Sequence, residues 1–289
     1  MLENFNIKVA SICFAIVLTA SCTAPSYQVA RPSDASISEA VREISSAKAN
    51  PSYQRNLSMR EARGRVETIY ARLKPSAQYL CRYLAERSPA SCLDWQVAVD
   101  DDDEFNAYAT GSNEIVMFKG IAERSRYDEE VAYILAHELS HHMLNHIRET
   151  GTNQLIGNVL GTLVGLAAAA WVYEGVDCNP RSQDCDYVAD GIQGMVDIGS
   201  NAGTFIANRK YSVAQESEAD WLTAYILSHA DFSLIRAREA VVHMAVINDS
   251  TSTRSSFFDS HPVGPERLSQ FDTAIQEVLS NVSGNPRAP

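Results

Sequence analysis

Positive charge is scarce in this 289-residue chain: 24 Lys and Arg stand against 36 Asp and Glu, a formal net charge of −12. Affinity for nucleic acid is built on basic surface, so no nucleic-acid partner is expected. A polybasic anchor to anionic lipid is missing for the same reason, and any hold on a membrane must come from something other than charge. No internal repeat is present. The acidic run from Asp100 to Glu104 lacks the spacing of an EF-hand calcium loop and reads as a solvated turn. What remains is ordinary globular usage, 45% hydrophobic and 21% charged, enough for one domain with a sizeable core.

The N-terminus reads as an address. Lys8 and the free amine form a weak positive region before an apolar run from Val9 to Ala20, short for a bilayer span and suited to a secretory signal. Leu18-Thr-Ala-Ser-Cys22 resembles a bacterial lipobox, with Leu18 one place early; the alternative is an ordinary cleaved signal. On the lipobox reading Cys22 is the lipidated first residue of the mature chain, and its acyl chains supply the membrane affinity that charge does not. Thr23, where inner-membrane lipoproteins carry Asp, favours the outer membrane by the same resemblance. Of the six cysteines, Cys13 leaves with the signal, and two close pairs follow: Cys81 with Cys92, and Cys178 with Cys185. Neither has the spacing of a Cys-rich zinc site, and both fit local disulfides in an oxidising periplasm.

Residues 23–37 are rich in Ser, Ala and Pro and read as a tether. Helical patterns follow near 38–48 and 57–87, then a strand near 95–99 and an extended segment over 106–118 interrupted by Gly111-Ser112-Asn113. Ser125-x-x-Asp128 resembles a capping box for a helix expected to run from Asp128 to Thr150 and stop at Gly151. Residues 154–173 are mostly apolar, with Gly157, Gly161 and Gly165 spaced for close helix packing; a buried or substrate-facing helix is expected there in preference to a membrane-touching one. A Gly-rich stretch runs from Gly191 to Gly203. Ser212-x-x-Gln215 opens another helix, through about Ser228, and a last helix covers 264–281. The expected organisation is a signal over 1–21, lipidated Cys and tether over 22–37, one catalytic domain over 38–282, and a fraying tail over 283–289.

The chemistry sits in His137-Glu138-Leu139-Ser140-His141. Histidines at i and i+4 project from one helical face a turn apart, so both imidazoles reach one tetrahedral zinc. Glu138 can lean over the open coordination position and take a proton from water as it attacks a carbonyl. Ala132, Ile134, Leu135, Ala136 and Leu139 make the helix apolar, and a buried His without a partner would be costly there. His142 and His146 fall off the ligand face and read as surface or supporting residues. A catalytic zinc needs a third protein ligand. No His follows at metzincin spacing, and the better source is Glu216-Ser217-Glu218-Ala219-Asp220. Glu216 and Asp220 share a face, Glu218 points roughly opposite, and Ala219 lets two helices approach closely.

HExxH followed by a distant ExxAD resembles the gluzincin peptidases of the CAAX prenyl endopeptidase family. Asn106-Ala107-Tyr108-Ala109 is similar to the family's edge strand, and His261-Pro262 precedes Arg267-Leu268 in the family's order. The resemblance implies an α+β fold: a mainly helical zincin-like domain with a small, edge-exposed β-sheet. It also implies zinc held by His137, His141 and Glu216, with Glu138 as general base. Asp220 then either orients a zinc-binding His or donates a proton. His261 is open between stabilising the oxyanion, ligating zinc in a latent form, and capping a loop. Trp221 and Thr223 depart from the Arg and Gly that often follow Ala-Asp, and the spanning helices of prenyl endopeptidases are missing, so prenyl-peptide processing is not expected. The expected protein is a lipid-anchored periplasmic zinc endopeptidase. It would cleave unfolded or misassembled proteins near the outer-membrane assembly machinery, its substrate added as a strand along the 106–118 edge. The competing expectation is a chaperone whose zinc site is mostly latent.

Overall fold

The computed structural model describes residue 27 and residues 29–48, 53–86, 92–110, 113–147, 211–250, 261 and 263–287. The sequence expectations for the signal, Cys22, the 154–173 segment, the Gly-rich stretch and the Cys178–Cys185 pair lie outside these residues.

Helix α1 (Asp34–Ala47) begins on Ser33, whose hydroxyl accepts from the Ser36 N–H. Helix α2 (Met59–Ala85) begins on a full capping box, with Ser58 and Glu61 each accepting from the other's backbone N–H. Its buried residues Ala62, Val66, Ile69, Tyr70, Leu73, Ala77, Leu80, Cys81 and Leu84 recur at three- and four-residue steps, the stripe that lets one helical face meet a core. The Cys81–Cys92 disulfide ties the end of α2 to the approach to the sheet.

The sheet has three strands, β1 (Gln96–Asp100), β2 (Ala107–Ala109) and β3 (Glu114–Phe118), in the order β1-β3-β2. β1 runs parallel to β3, with Val97 opposite Ile115, and β2 runs antiparallel to β3, with Tyr108 opposite Val116. The break at Gly111-Ser112-Asn113 separates two antiparallel strands, as a hairpin reading of it expects, but the expectation of one substrate edge along all of 106–118 is corrected: within that stretch β3 is the central strand, and β2 is the part that lies at an edge. The Phe118 N–H donates to the Asn106 carbonyl and the Thr110 N–H to the Glu114 carbonyl. Antiparallel pairs alternate, so the main-chain groups of Ala107 and Ala109 turn away from β3.

The acidic run wraps the start of the short helix α3 (Lys119–Arg124). The Lys119 ammonium pairs with Asp101 at 3.1 Å and Asp103 at 2.8 Å. A Cβ on Gly120 would lie 2.2 Å from the Asp103 carbonyl, so only glycine admits this approach.

Helix α4 (Asp128–Met143) is buried without interruption from Glu130 to Met143. It starts at Asp128 as expected, but its cap differs: Tyr127 is the cap residue, and the Glu130 carboxylate accepts its N–H at 2.9 Å, leaving Ser125 outside the helix. Its end differs too, since Leu144 caps it and Asn145 adopts φ 61°, a left-handed residue closing the helix well before Gly151. Helix α5 (Val213–His229) starts on the Ser212–Gln215 capping box as expected and is buried from Glu216 to Leu227. Helix α6 (Leu234–Ser250) has no counterpart in the sequence reading; Leu234, Ala237, Val241, Val242 and Met244 are buried on more than one face and leave no single stripe to detect. Helix α7 (Pro265–Ser280) packs on α5 and closes the core.

Residues 283–287, expected to fray, are held. The Gly284 carbonyl is 2.6 Å from His229 Nε2, and the Arg287 guanidinium lies 5.3 Å over the Trp221 ring. Among the described residues no helix is long and apolar enough to cross a membrane.

Candidate metal centre

The centre forms where α4 crosses α5, with the start of α7 and His261 closing it. His137 and His141 are one turn apart on α4, and their Nε2 atoms converge to 3.0 Å. Glu216, in the first turn of α5, brings Oε2 to 3.4 Å from His137 Nε2 and Oε1 to 3.3 Å from His141 Nε2. His261 Nδ1 stands 3.2 Å from His137 Nε2 and 3.0 Å from Glu216 Oε1. The four offer donor atoms within 4.8 Å of one another, all from buried side chains.

Imidazole nitrogens and carboxylate oxygens converging this closely leave their lone pairs facing one point, an arrangement that a shared cation would satisfy. Two or three imidazole nitrogens with one carboxylate is a donor set that suits zinc. Beside them the Glu138 carboxylate is fully buried, and neither of its oxygens makes a hydrogen bond among the described residues. His261 Nε2 stands 3.4 Å from its Oε1. A buried carboxylate is costly without a counter-charge or a proton to hold, and both are what a metal with its water would provide. The residues present fit the group.

Behind the donor atoms lies a polar wall. Asp220, one turn along α5 from Glu216, has Oδ1 3.0 Å from His137 Nδ1. Its carboxylate can accept the Nδ1–H, which leaves Nε2 turned towards the other donor atoms, a geometry that suits an orienting role. Arg267, from the first turn of α7, donates to Asp220 through Nε at 2.8 Å and Nη2 at 3.1 Å, and pairs with Glu216 Oε2 through Nη1 at 2.8 Å. The Tyr133 hydroxyl donates to Asp220 as well.

These charges set the protonation states. Burial would raise the Glu216 and Asp220 carboxyls, but His261, Arg267 and His137 hold Glu216 well below the carboxylate range, and Arg267 and His137 lower Asp220. Burial and Arg267 act to lower His137, yet Glu216 and Asp220 outweigh them and bring it up to about 9. His141 lacks the aspartate; burial first, then the charges of His137 and His146, push it well below its ordinary value. Both carboxylates are thus ionised and ready to balance a cation.

All six residues singled out from the sequence, His137, Glu138, His141, Glu216, Asp220 and His261, come together here. Of the wall, only Asp220 is named from the sequence. Arg267 enters that reading as part of a sequence pattern, and Tyr133 does not enter it. Tyr211, whose ring stacks on His141 at 3.7 Å, carries no signal at all. His142 and His146, read as surface or supporting, are both buried. His146 contacts His141 and Glu218, whereas His142 lies away from the metal ligands, against the Glu114 backbone. Thr223, which departs from the glycine of the family pattern, donates to the Ala219 carbonyl and stands 3.3 Å from Ser140 Oγ across the α4–α5 contact.

Two imidazoles from one helix, a glutamate from the next and a free carboxylate beside them define a zinc-peptidase type of centre. The family description Peptidase family M48 matches residues 73–275, and the chain belongs to that family of zinc metallopeptidases. The chain is 22% identical over 211 residues to mitochondrial metalloendopeptidase OMA1 of Schizosaccharomyces pombe, covering 71% of this chain and 54% of that protein. It is 26% identical over 166 residues to metalloprotease LoiP of Escherichia coli, covering 57% of this chain and 56% of that protein. The chain thus spans about half the length of these relatives.

Proposed function

We propose that this protein is a zinc-dependent endopeptidase, anchored through a lipidated Cys22 in the bacterial periplasm, that cleaves unfolded or misassembled proteins at the outer membrane. The observation that carries the catalytic part is the convergence of His137, His141 and Glu216 beside the buried carboxylate of Glu138. Anchor and compartment rest on the lipobox-like Leu18–Cys22 stretch, and the Cys81–Cys92 disulfide supports an oxidising surrounding. The protein-quality-control role rests on the relatives' metalloprotease names and on a recognition edge that reads main chain.

An extended substrate would pair with the outward N–H and C=O groups of Ala107 and Ala109 on β2, which selects for unfolded backbone and not for particular side chains. Zinc, when bound by His137, His141 and Glu216, would polarise the scissile carbonyl and favour loss of a proton from the attacking water. Glu138 takes that proton and passes it to the leaving amine. Asp220 keeps the His137 Nδ1 protonated throughout, and Arg267 keeps Asp220 ionised. Glu138→Gln should keep zinc and lose about 10²–10⁴-fold in cleavage of an unfolded protein such as reduced, alkylated casein. Cleavage at the wild-type rate in that variant would remove the catalytic reading.

One observation favours a second reading, a periplasmic chaperone with a mostly latent site. His261 Nδ1 approaches the ligand atoms to 3.0–3.2 Å, where it can occupy the fourth position that substrate needs. His261→Ala decides between its roles. A faster cleavage than wild type marks a latent ligand, and a slower one with zinc retained marks an oxyanion role.

A further inference from the structure

The wall behind His137 is Asp220; behind His141 stands a different chain of contacts that the proposed reaction does not use. His141 Nδ1 lies 3.0 Å from His146 Nδ1, His146 Nε2 lies 3.2 Å from Glu218 Oε2, and Glu218 Oε1 accepts the backbone N–H of Tyr27. All four residues are buried. Glu218 leaves α5 away from Glu216, and His146 sits just past the left-handed Asn145 that ends α4. The early end of that helix is what swings His146 back under His141; on a helix continuing to Thr150 it would have projected elsewhere.

The protons in this chain of contacts can be placed. For Nε2 of His141 to face the metal its lone pair must be free, so the proton is on Nδ1 and is donated to His146. Nδ1 of His146 must then be the acceptor, and its proton is on Nε2, pointing at Glu218. The Glu218 carboxylate accepts the Tyr27 N–H through Oε1, and its Oε2 stands in line to accept from His146 Nε2. The opposite placement would put a proton on His141 Nε2 in the middle of the ligand set.

We infer that His146 and Glu218 are positioning residues that lock His141 in its metal-binding tautomer, and that Tyr27 completes the lock. This rests on the proposed zinc ligation by His141. Tyr27 belongs to the segment leading from the N-terminal address, and its ring packs on Trp221 at 4.6 Å. The seating of the tether is thereby joined to retention of the metal. Trp221, a departure from the family pattern, provides the apolar floor for that seat.

The test is the rate at which the zinc-loaded full chain gives up zinc to excess EDTA, followed by a zinc indicator, for wild type, His146→Phe, His146→Gln and Glu218→Gln. Phenylalanine keeps a flat ring and removes both contacts, and release should quicken by about ten- to a hundredfold. Glutamine supplies one acceptor and one donor in the same place, and release should return towards wild type. Glu218→Gln leaves a single acceptor for two donors and should also quicken release; it carries the test if His146→Phe does not fold. Thermal melting of the metal-free chains gives the packing contribution separately. Wild-type release from both His146→Phe and Glu218→Gln overturns the inference, as does equal acceleration by phenylalanine and glutamine at position 146, which would mean packing alone. A wild-type chain that takes up no zinc overturns it together with the ligand assignment, a result distinct from either.

Discussion

Helices α2 and α4 pack against each other, yet the two are buried on different terms. α2 buries one stripe of nine residues, and Tyr70 is the only one of them with a polar side-chain atom other than the disulfide sulfur. α4 buries fourteen consecutive residues, among them Glu130, His137, Glu138, Ser140, His141 and His142. The stripe of α2 is fixed by what water excludes. The polar residues of α4 survive burial because they meet a charge or a hydrogen-bond partner on α5 or α6, or face the donor cluster; the exception is His142, which lies against the Glu114 backbone of β3. Burial in one helix serves stability, and in the other it sharpens electrostatics by removing solvent.

Breaking each region with a single truncation separates the two. Arg267→Ala strips the counter-charge from Asp220 and Glu216, and should cost the metal-free chain about 3–5 kcal/mol in chemical denaturation. Added zinc should restore part of that loss, since a cation again faces the carboxylates. Leu73→Ala, in the stripe of α2, should cost about 2–5 kcal/mol. Zinc should add no more stability to it than to wild type, and cleavage per folded molecule should not change. Equal rescue of both variants by zinc would erase the distinction.

A smaller effect sits on the far side of α4. His142 is buried, which lowers it to about 4 against an ordinary 6.5. A histidine depressed in this way stabilises the fold fully above pH 6.5, and that contribution is lost as the pH falls towards 4, because the unfolded chain takes the proton first. The total is about 3 kcal/mol. Metal-free His142→Phe should therefore lose less stability than wild type between pH 6.5 and pH 4.5; parallel curves would mean that His142 is not the responsive group.

Much of this was readable in the residues, and the gaps have physical causes. Spacing alone put His137 and His141 on one face and Glu216 with Asp220 on another, because a helix fixes those angles. The capping box at Ser212 fixed the start of α5 for the same local reason. The end of α4 was missed because Asn145 takes the left-handed conformation that the sequence reading assigned to Gly151. With it went the direction of His146. Glu218 was placed correctly on the opposite side of α5 from Glu216, but a helix buried all round has no solvent side, so a residue pointing away from the metal still lands on a partner. Arg267 joins the site from far along the chain, and only the packing of α7 on α5 brings it there. The central place of β3 depends on a parallel pairing with β1 that alternation within 106–118 does not encode.

The most direct test of the centre is zinc per chain, by elemental analysis, on residues 23–289 and on their Glu216→Ala variant after identical metal loading. The site described here predicts about one zinc in the first and a sharp loss in the second. Equal zinc in both would show that Glu216 is not the third ligand and would send the assignment to His261, while no zinc in either would contradict the metal centre itself.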